Sequence, residues 1–108
     1  MTLALSRSLH ALSDPTRRSI LQLLQEGDRT AGEIGAQFPI SAPSVSHHLA
    51  VLKNAGLVQA ERRGQTIVYS LDTTVVQELL AELCRLFGAR RLDGGVVTGE
   101  EGVDDVSA

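Results

Sequence analysis

The sequence predicts a mostly helical domain that carries one β-hairpin. Three observations lead there. Ser41 to Gly56 has a start signal, a stop signal and a single apolar stripe at helical spacing. Three further apolar-periodic stretches precede it, and one long one closes the domain. Between Leu57 and Leu71, two β-prone runs flank Gly64-Gln65, the pattern of a hairpin. The predicted order is α-α-α-α-β-β-α.

The elements follow in chain order. In the first, Leu5, Leu9 and Leu12 are spaced for one face of a helix over residues 2–12. Ser13 or Asp14 then caps a second helix, with Pro15 early in it and Gly27 after its end. Ile20, Leu21, Leu23 and Leu24 supply its buried side. Arg17 and Arg18 lie in its first turn, against the preference of the helix dipole. They read either as solvated arginines or as a pair of phosphate contacts.

Thr30 with Glu33 is a capping-box pattern, and it opens a short helix expected over Thr30 to Phe38. Gly35 weakens that helix, so packing of Ile34 and Phe38 must hold it. After Pro39 and Ile40, Ser41 caps the next helix and Pro43 is tolerated in its first turn. Val45, Leu49 and Leu52 fall within about 60° of one another at about 100° per residue. The opposite side, Pro43, His47, Ala50 and Asn54 flanked by Ser44, Ser46 and Val51, is small, polar and nearly uncharged. Solvated helix faces are usually rich in Glu and Lys. Short hydroxyl and imidazole groups instead let a helix approach base edges, where carboxylates would repel phosphates. His48 lies near the core edge and reads as a packed, hydrogen-bonded histidine. Two helices joined by a tight connection, the second with a polar outer face, form a helix-turn-helix.

The hairpin that follows reads as a wing. Ile67, Tyr69 and Leu71 alternate onto one face, with Thr66, Val68 and Ser70 on the other. Its tip carries Arg62, Arg63, Gln65 and Thr66, with Glu61 the opposing charge. The tip is either charged for solubility or laid over a phosphate ridge or minor groove. Thr73 or Thr74 starts the last helix, which runs to about Phe87 before Gly88. Its apolar residues, Val75, Val76, Leu79, Leu80, Leu83, Leu86 and Phe87, cover more than one narrow stripe. Together with the leucine-rich first helix, that width predicts a seam between two subunits.

A length of 108 residues sets one domain, expected over residues 1–90, followed by an acidic, Gly-rich disordered tail at 91–108. Residues 93–108 hold five acids and no base, whereas residues 1–92 hold ten Lys and Arg against eight Asp and Glu. The net charge of −3 therefore conceals a mildly basic folded part. No apolar run reaches about 18 residues, and no secretory signal is evident. Cys84 is alone, so no intramolecular disulfide can form, and a cytoplasmic location fits. An enzyme fares badly: the chain has no Gly-rich phosphate loop, no metal triad and no nucleophile–base–orienter set.

Three ordered motifs, Leu12-Ser-Asp-Pro-Thr-Arg-Arg-Ser-Ile-Leu21, Ser41 to Leu57 and Gly64-Gln-Thr-Ile-Val-Tyr-Ser-Leu71, resemble the ArsR/SmtB family of winged helix-turn-helix regulators. The likeness covers roughly residues 5–88 and is nearest to the autorepressor-type branch without the usual metal motif. It implies a homodimer built on the first and last helices, binding double-stranded DNA at an inverted-repeat operator as a transcriptional regulator, most simply a repressor. Carried over to this chain, Ser44, Ser46 and His47 become groove contacts. Arg17, Arg18, Ser41, Lys53, Arg62, Arg63, Gln65 and Thr66 complete the candidate DNA-binding set. Ala42 stands where relatives often have a longer polar residue.

Two alternatives stay open. One is a regulator responsive to a divalent metal, nickel or zinc, with an unusual site or an accessory protein. The short helix before the turn has no cysteine, and the last has Glu78, Glu82 and Cys84 but no histidine. His10, His47, His48, Cys84 and the tail acids would have to converge across a dimer, while Cys84 also reads as a small buried hydrophobe. The other is a winged-helix protein-interaction module, which acidic or bulky apolar residues on the outward face would favour; they are absent.

Overall fold

A computed structural model describes residues 3–88. Five helices and a small sheet follow in the order α1 (Leu3–Leu12), α2 (Pro15–Glu26), β1 (Arg29–Thr30), α3 (Ala31–Gly35), α4 (Ala42–Asn54), β2 (Val58–Arg63), β3 (Thr66–Leu71) and α5 (Thr73–Leu86). The expected order holds, with β1 added. This two-residue strand pairs antiparallel with β3, Arg29 opposite Tyr69 and Thr30 opposite Val68, so the sheet order is β1-β3-β2. Two residues are too few to show an alternating pattern, and Thr30 also carries the strong capping signal of α3.

Local chemistry sets the helix ends. Asp14 caps α2 by accepting the Arg17 N–H at 3.0 Å. Thr30 and Glu33 close the capping box reciprocally, at 3.1 and 2.8 Å. The α3 helix stops at Gly35, short of the expected Phe38. Gln37 and Phe38 donate to carbonyls only three residues back, at Ile34 and Gly35, so the chain tightens into turns where glycine weakens the helix. Asp72, one residue before the expected start, caps α5 by accepting from Val75 N–H at 3.1 Å.

One core ties the elements together. Ile20 and Leu24 of α2, Ile34 of α3, Val45, Leu49 and Leu52 of α4, Leu57 and Val58 at the start of the wing, and Leu79 of α5 are all buried. In α1 the buried face is Leu5, Ser8 and Ala11, while Leu9 is exposed. The face is turned from the expected Leu5-Leu9-Leu12 stripe because small residues at 8 and 11 let α1 lie close against its neighbours.

The α4 helix ends in a Schellman motif. Gly56 takes φ +80°, its N–H donates to the Lys53 carbonyl at 2.9 Å, and Leu57 N–H donates to the Leu52 carbonyl at 3.1 Å. Leu52 and Leu57, the two ends of that closure, are both buried. The Leu57 carbonyl in turn accepts from Asp72 N–H at 2.9 Å, so the same residue meets the cap of α5.

The carboxyls of both aspartate caps are held below the ordinary carboxylate range. For Asp14 the Arg17 N–H is the main cause, and for Asp72 the hydrogen bond from the Gln59 amide is. A depressed carboxyl stabilises the fold above the unfolded carboxyl's range and loses that contribution as pH falls through its own value. Asp72→Ala should therefore melt below the wild type at neutral pH, with the gap closing as acid protonates the depressed carboxyl, below the ordinary carboxylate range. A gap that stayed constant across that range would count against the charged cap.

Candidate nucleic-acid interface

The α4 helix presents the side that the sequence assigns to DNA. Burial of Val45, Leu49 and Leu52 fixes its rotation. Ser46, His47 and Ala50 are then exposed and Ser44 half-buried. Ser41 is exposed too, with its Oγ accepting the Ser44 N–H at 3.2 Å. No acidic residue lies in the first turn, so the positive end of the helix dipole faces outward unopposed. Lys53 stands exposed in the last turn.

The wing is less uniform than a basic tip. In the antiparallel pair Arg62 opposes Ile67, and Arg63 opposes Thr66. Residues directly opposite share a face, so Arg62 belongs to the face of Tyr69 and Ile67, and Arg63 to the other. The Arg63 guanidinium donates twice to Glu61 Oε1, at 3.0 and 3.2 Å, which neutralises it locally. Among the described residues Arg62 has no ion pair, and it is the freer cation of the two. Gln65 and Thr66 are exposed at the tip, where Gly64 takes φ +65°.

The two arginines of α2 separate. Arg18 is exposed and uses Nη1 to donate to the Leu12 carbonyl at 2.7 Å, which leaves other donors facing water. Arg17 is a correction: it is only 6 % exposed and is not available to a phosphate. Its Nε donates to the Ala11 carbonyl at 2.8 Å, Nη2 to the His10 carbonyl at 3.1 Å, and Nη1 to His48 Nδ1 at 3.2 Å. The signal was present in the spacing: residues 17, 20 and 24 share one helical stripe, and Ile20 and Leu24 are core. Its charge argued for the surface, but the end of α1 supplies two carbonyls that a guanidinium can bridge. His48, as expected, is packed and hydrogen-bonded, with Asp14 Oδ2 3.9 Å away.

Among the described residues no three His, Cys, Asp or Glu side chains come together in a way that could hold an ion. Cys84 is half-buried in α5. The tail acids lie outside the described residues, and no described helix is long and apolar enough to cross a membrane.

The helix-turn-helix and its cap region, residues 14–60, match the model of the arsR family of bacterial regulatory proteins. The transcriptional repressor SdpR of Bacillus subtilis is 59% identical over 68 residues, which span 63% of this chain and 76% of SdpR. The chain belongs to the ArsR family. The HTH-type regulator Rv2034 of Mycobacterium tuberculosis is 43% identical over 88 residues, covering 82% of this chain and 81% of that protein. Among solved structures, an ArsR-like regulator from Rhodococcus sp. RHA1 superposes with a TM-score of 0.72 at 29% identity, covering 79% of this chain and 80% of the other. As an ArsR-family winged helix-turn-helix protein, the chain is a DNA-binding transcriptional regulator and not an enzyme.

Proposed function

We propose that the chain is a homodimeric repressor that reads an inverted-repeat operator in double-stranded DNA in the cytoplasm. The exposed side of α4 carries the reading: Ser46 and His47, with Ser44 at its edge, are short enough to reach base edges and bring no negative charge. The exposed side chains of Arg62, Lys53 and Arg18 are assigned to phosphate contacts in this reading, with Gln65, Thr66 and Ser41 as shorter polar partners. Arg63 contributes once it leaves Glu61.

Dimerisation through α1 and α5 is supported by what those helices leave uncovered. Phe87 is 79 %, Leu3 66 % and Leu80 49 % exposed, and Leu86 and Leu9 are exposed as well. Apolar residues gathered on two neighbouring helices mark an interaction surface. A second copy would present the same strip, and its α4 would read the second half-site.

The test compares two variants on a DNA fragment from upstream of the protein's own gene and on unrelated DNA. His47→Ala should weaken operator binding by about 1–3 kcal/mol while leaving unrelated DNA nearly unaffected. Arg62→Ala should weaken both and reduce the slope of log affinity against log salt by about 0.9. An unchanged ratio of operator to unrelated binding in His47→Ala would refute the placement of α4.

A further inference from the structure

We propose that Arg17, His48 and Asp14 form a proton-operated pin that sets the angle of α4 against the rest of the subunit. His48 and Arg17 are thereby positioning residues for the DNA-reading side chains one position and one turn away on α4. The inference rests on the DNA-binding reading above and adds a condition under which that binding is released.

The geometry supplies each step. Arg17 has only donors. Its Nη1 stands 3.2 Å from His48 Nδ1, a contact in which this nitrogen must be the acceptor, and that requires the ring hydrogen to sit on Nε2. Through its other two nitrogens the same guanidinium grips the last carbonyls of α1, at Ala11 and His10. One buried side chain thus joins α1, α2 and α4. Adding a proton to Nδ1 removes the acceptor and sets a cation against a cation. The Asp14 carboxylate, 3.9 Å from the same nitrogen, then becomes its natural partner. Nδ1 therefore has two partners on α2, a donor suited to the neutral ring and an acceptor suited to the charged one. Moving between them shifts the ring and, with it, α4.

The groups around His48 are few. From α2 they are Arg17 and Asp14. From α4 itself His47 is tilted at 56°, its ring centre 5.7 Å away. The end of α1 contributes carbonyls, and the His10 imidazole is exposed. Of the other elements packed on α4, the α3 carboxylate Glu33 is held by its own cap, and Glu61, Arg62 and Arg63 of β2 are exposed.

The experiment measures operator affinity at about pH 7.5 and 5.5 for the wild type and for His48→Asn, at temperatures well below both melting points. Asparagine places a carbonyl oxygen near the Nδ1 position and keeps its acceptor at either pH. His47→Ala in both backgrounds removes the neighbouring imidazole, 5.7 Å away, from the comparison. The wild type should lose about fivefold more affinity on acidification than His48→Asn does. Equal losses overturn the inference. Nitrogen spectra of the wild-type imidazoles, recorded without DNA, give a second reading. They should show His48 protonated on Nε2 alone at pH 7.5, and a hydrogen on Nδ1 there overturns the pin whatever His48→Asn does. If the wild type binds the operator at neither pH, the DNA reading fails and the positioning role falls with it, even with the tautomer as expected.

Discussion

Leu52→Ala is expected to lower the stability of the subunit by about 2–5 kcal/mol. Leu52 has no exposed surface, sits at the inner side of α4 and also forms one end of the helix's closing motif. Truncation removes the transfer energy of three carbons and leaves a cavity in the buried core on the inner side of α4. In a core this small there is little else to refill it. For a domain of this size the loss corresponds to a fall in melting temperature of about 10 °C or more. Thermal melting at one fixed protein concentration measures it. A fall of only a degree or two would mean that the site collapses freely and that α4 is not held by this contact. DNA binding by the surviving folded fraction should keep its sequence preference, because the exposed side of α4 is untouched.

Leu80→Glu combined with Phe87→Glu is expected to act in the opposite sense, leaving the subunit folded and removing its function. Both residues lie largely in water in the single subunit, and exposed substitutions cost within about 0.5 kcal/mol. In the proposed dimer the same two positions face their copies, where unpaired carboxylates are expensive to bury. Sedimentation should show a monomer where the wild type shows a dimer. Operator affinity should fall by about 10²–10⁴-fold, since each half-site is then bound without the help of the other. A variant that remained dimeric, or a wild type that was already monomeric at micromolar concentration, would refute the seam on α1 and α5.

Much of this arrangement could be read from the chain because the signals are local. Val45, Leu49 and Leu52 share one stripe, Ser41 and Gly56 bracket it, and each behaves in the structure as its chemistry demands. Thr30 and Glu33 are equally self-contained. What escaped depends on how the elements pack on one another. Arg17 is buried because α1 and α4 bring it carbonyls and an imidazole, and none of these is visible from residue 17. The strand β1 exists only because β3 offers an edge to two residues. The separation of Arg62 from Arg63 and the pairing of Arg63 with Glu61, two residues away on the same face, were both available in the two-residue period of a strand. Leu9 was displaced from the buried side of α1 by the close fit that Ser8 and Ala11 allow.

Leu57 gives the molecule an unusual economy of transmission. Its amide hydrogen closes the end of α4, the helix proposed to read DNA, and its carbonyl meets the start of α5, the helix proposed to face a second subunit. A single residue, through the two peptide groups on either side of it, thus links the end of α4 to the start of α5. In the proposed dimer, a displacement of α5 at the seam would act on the end of α4 and the start of the wing through these two hydrogen bonds.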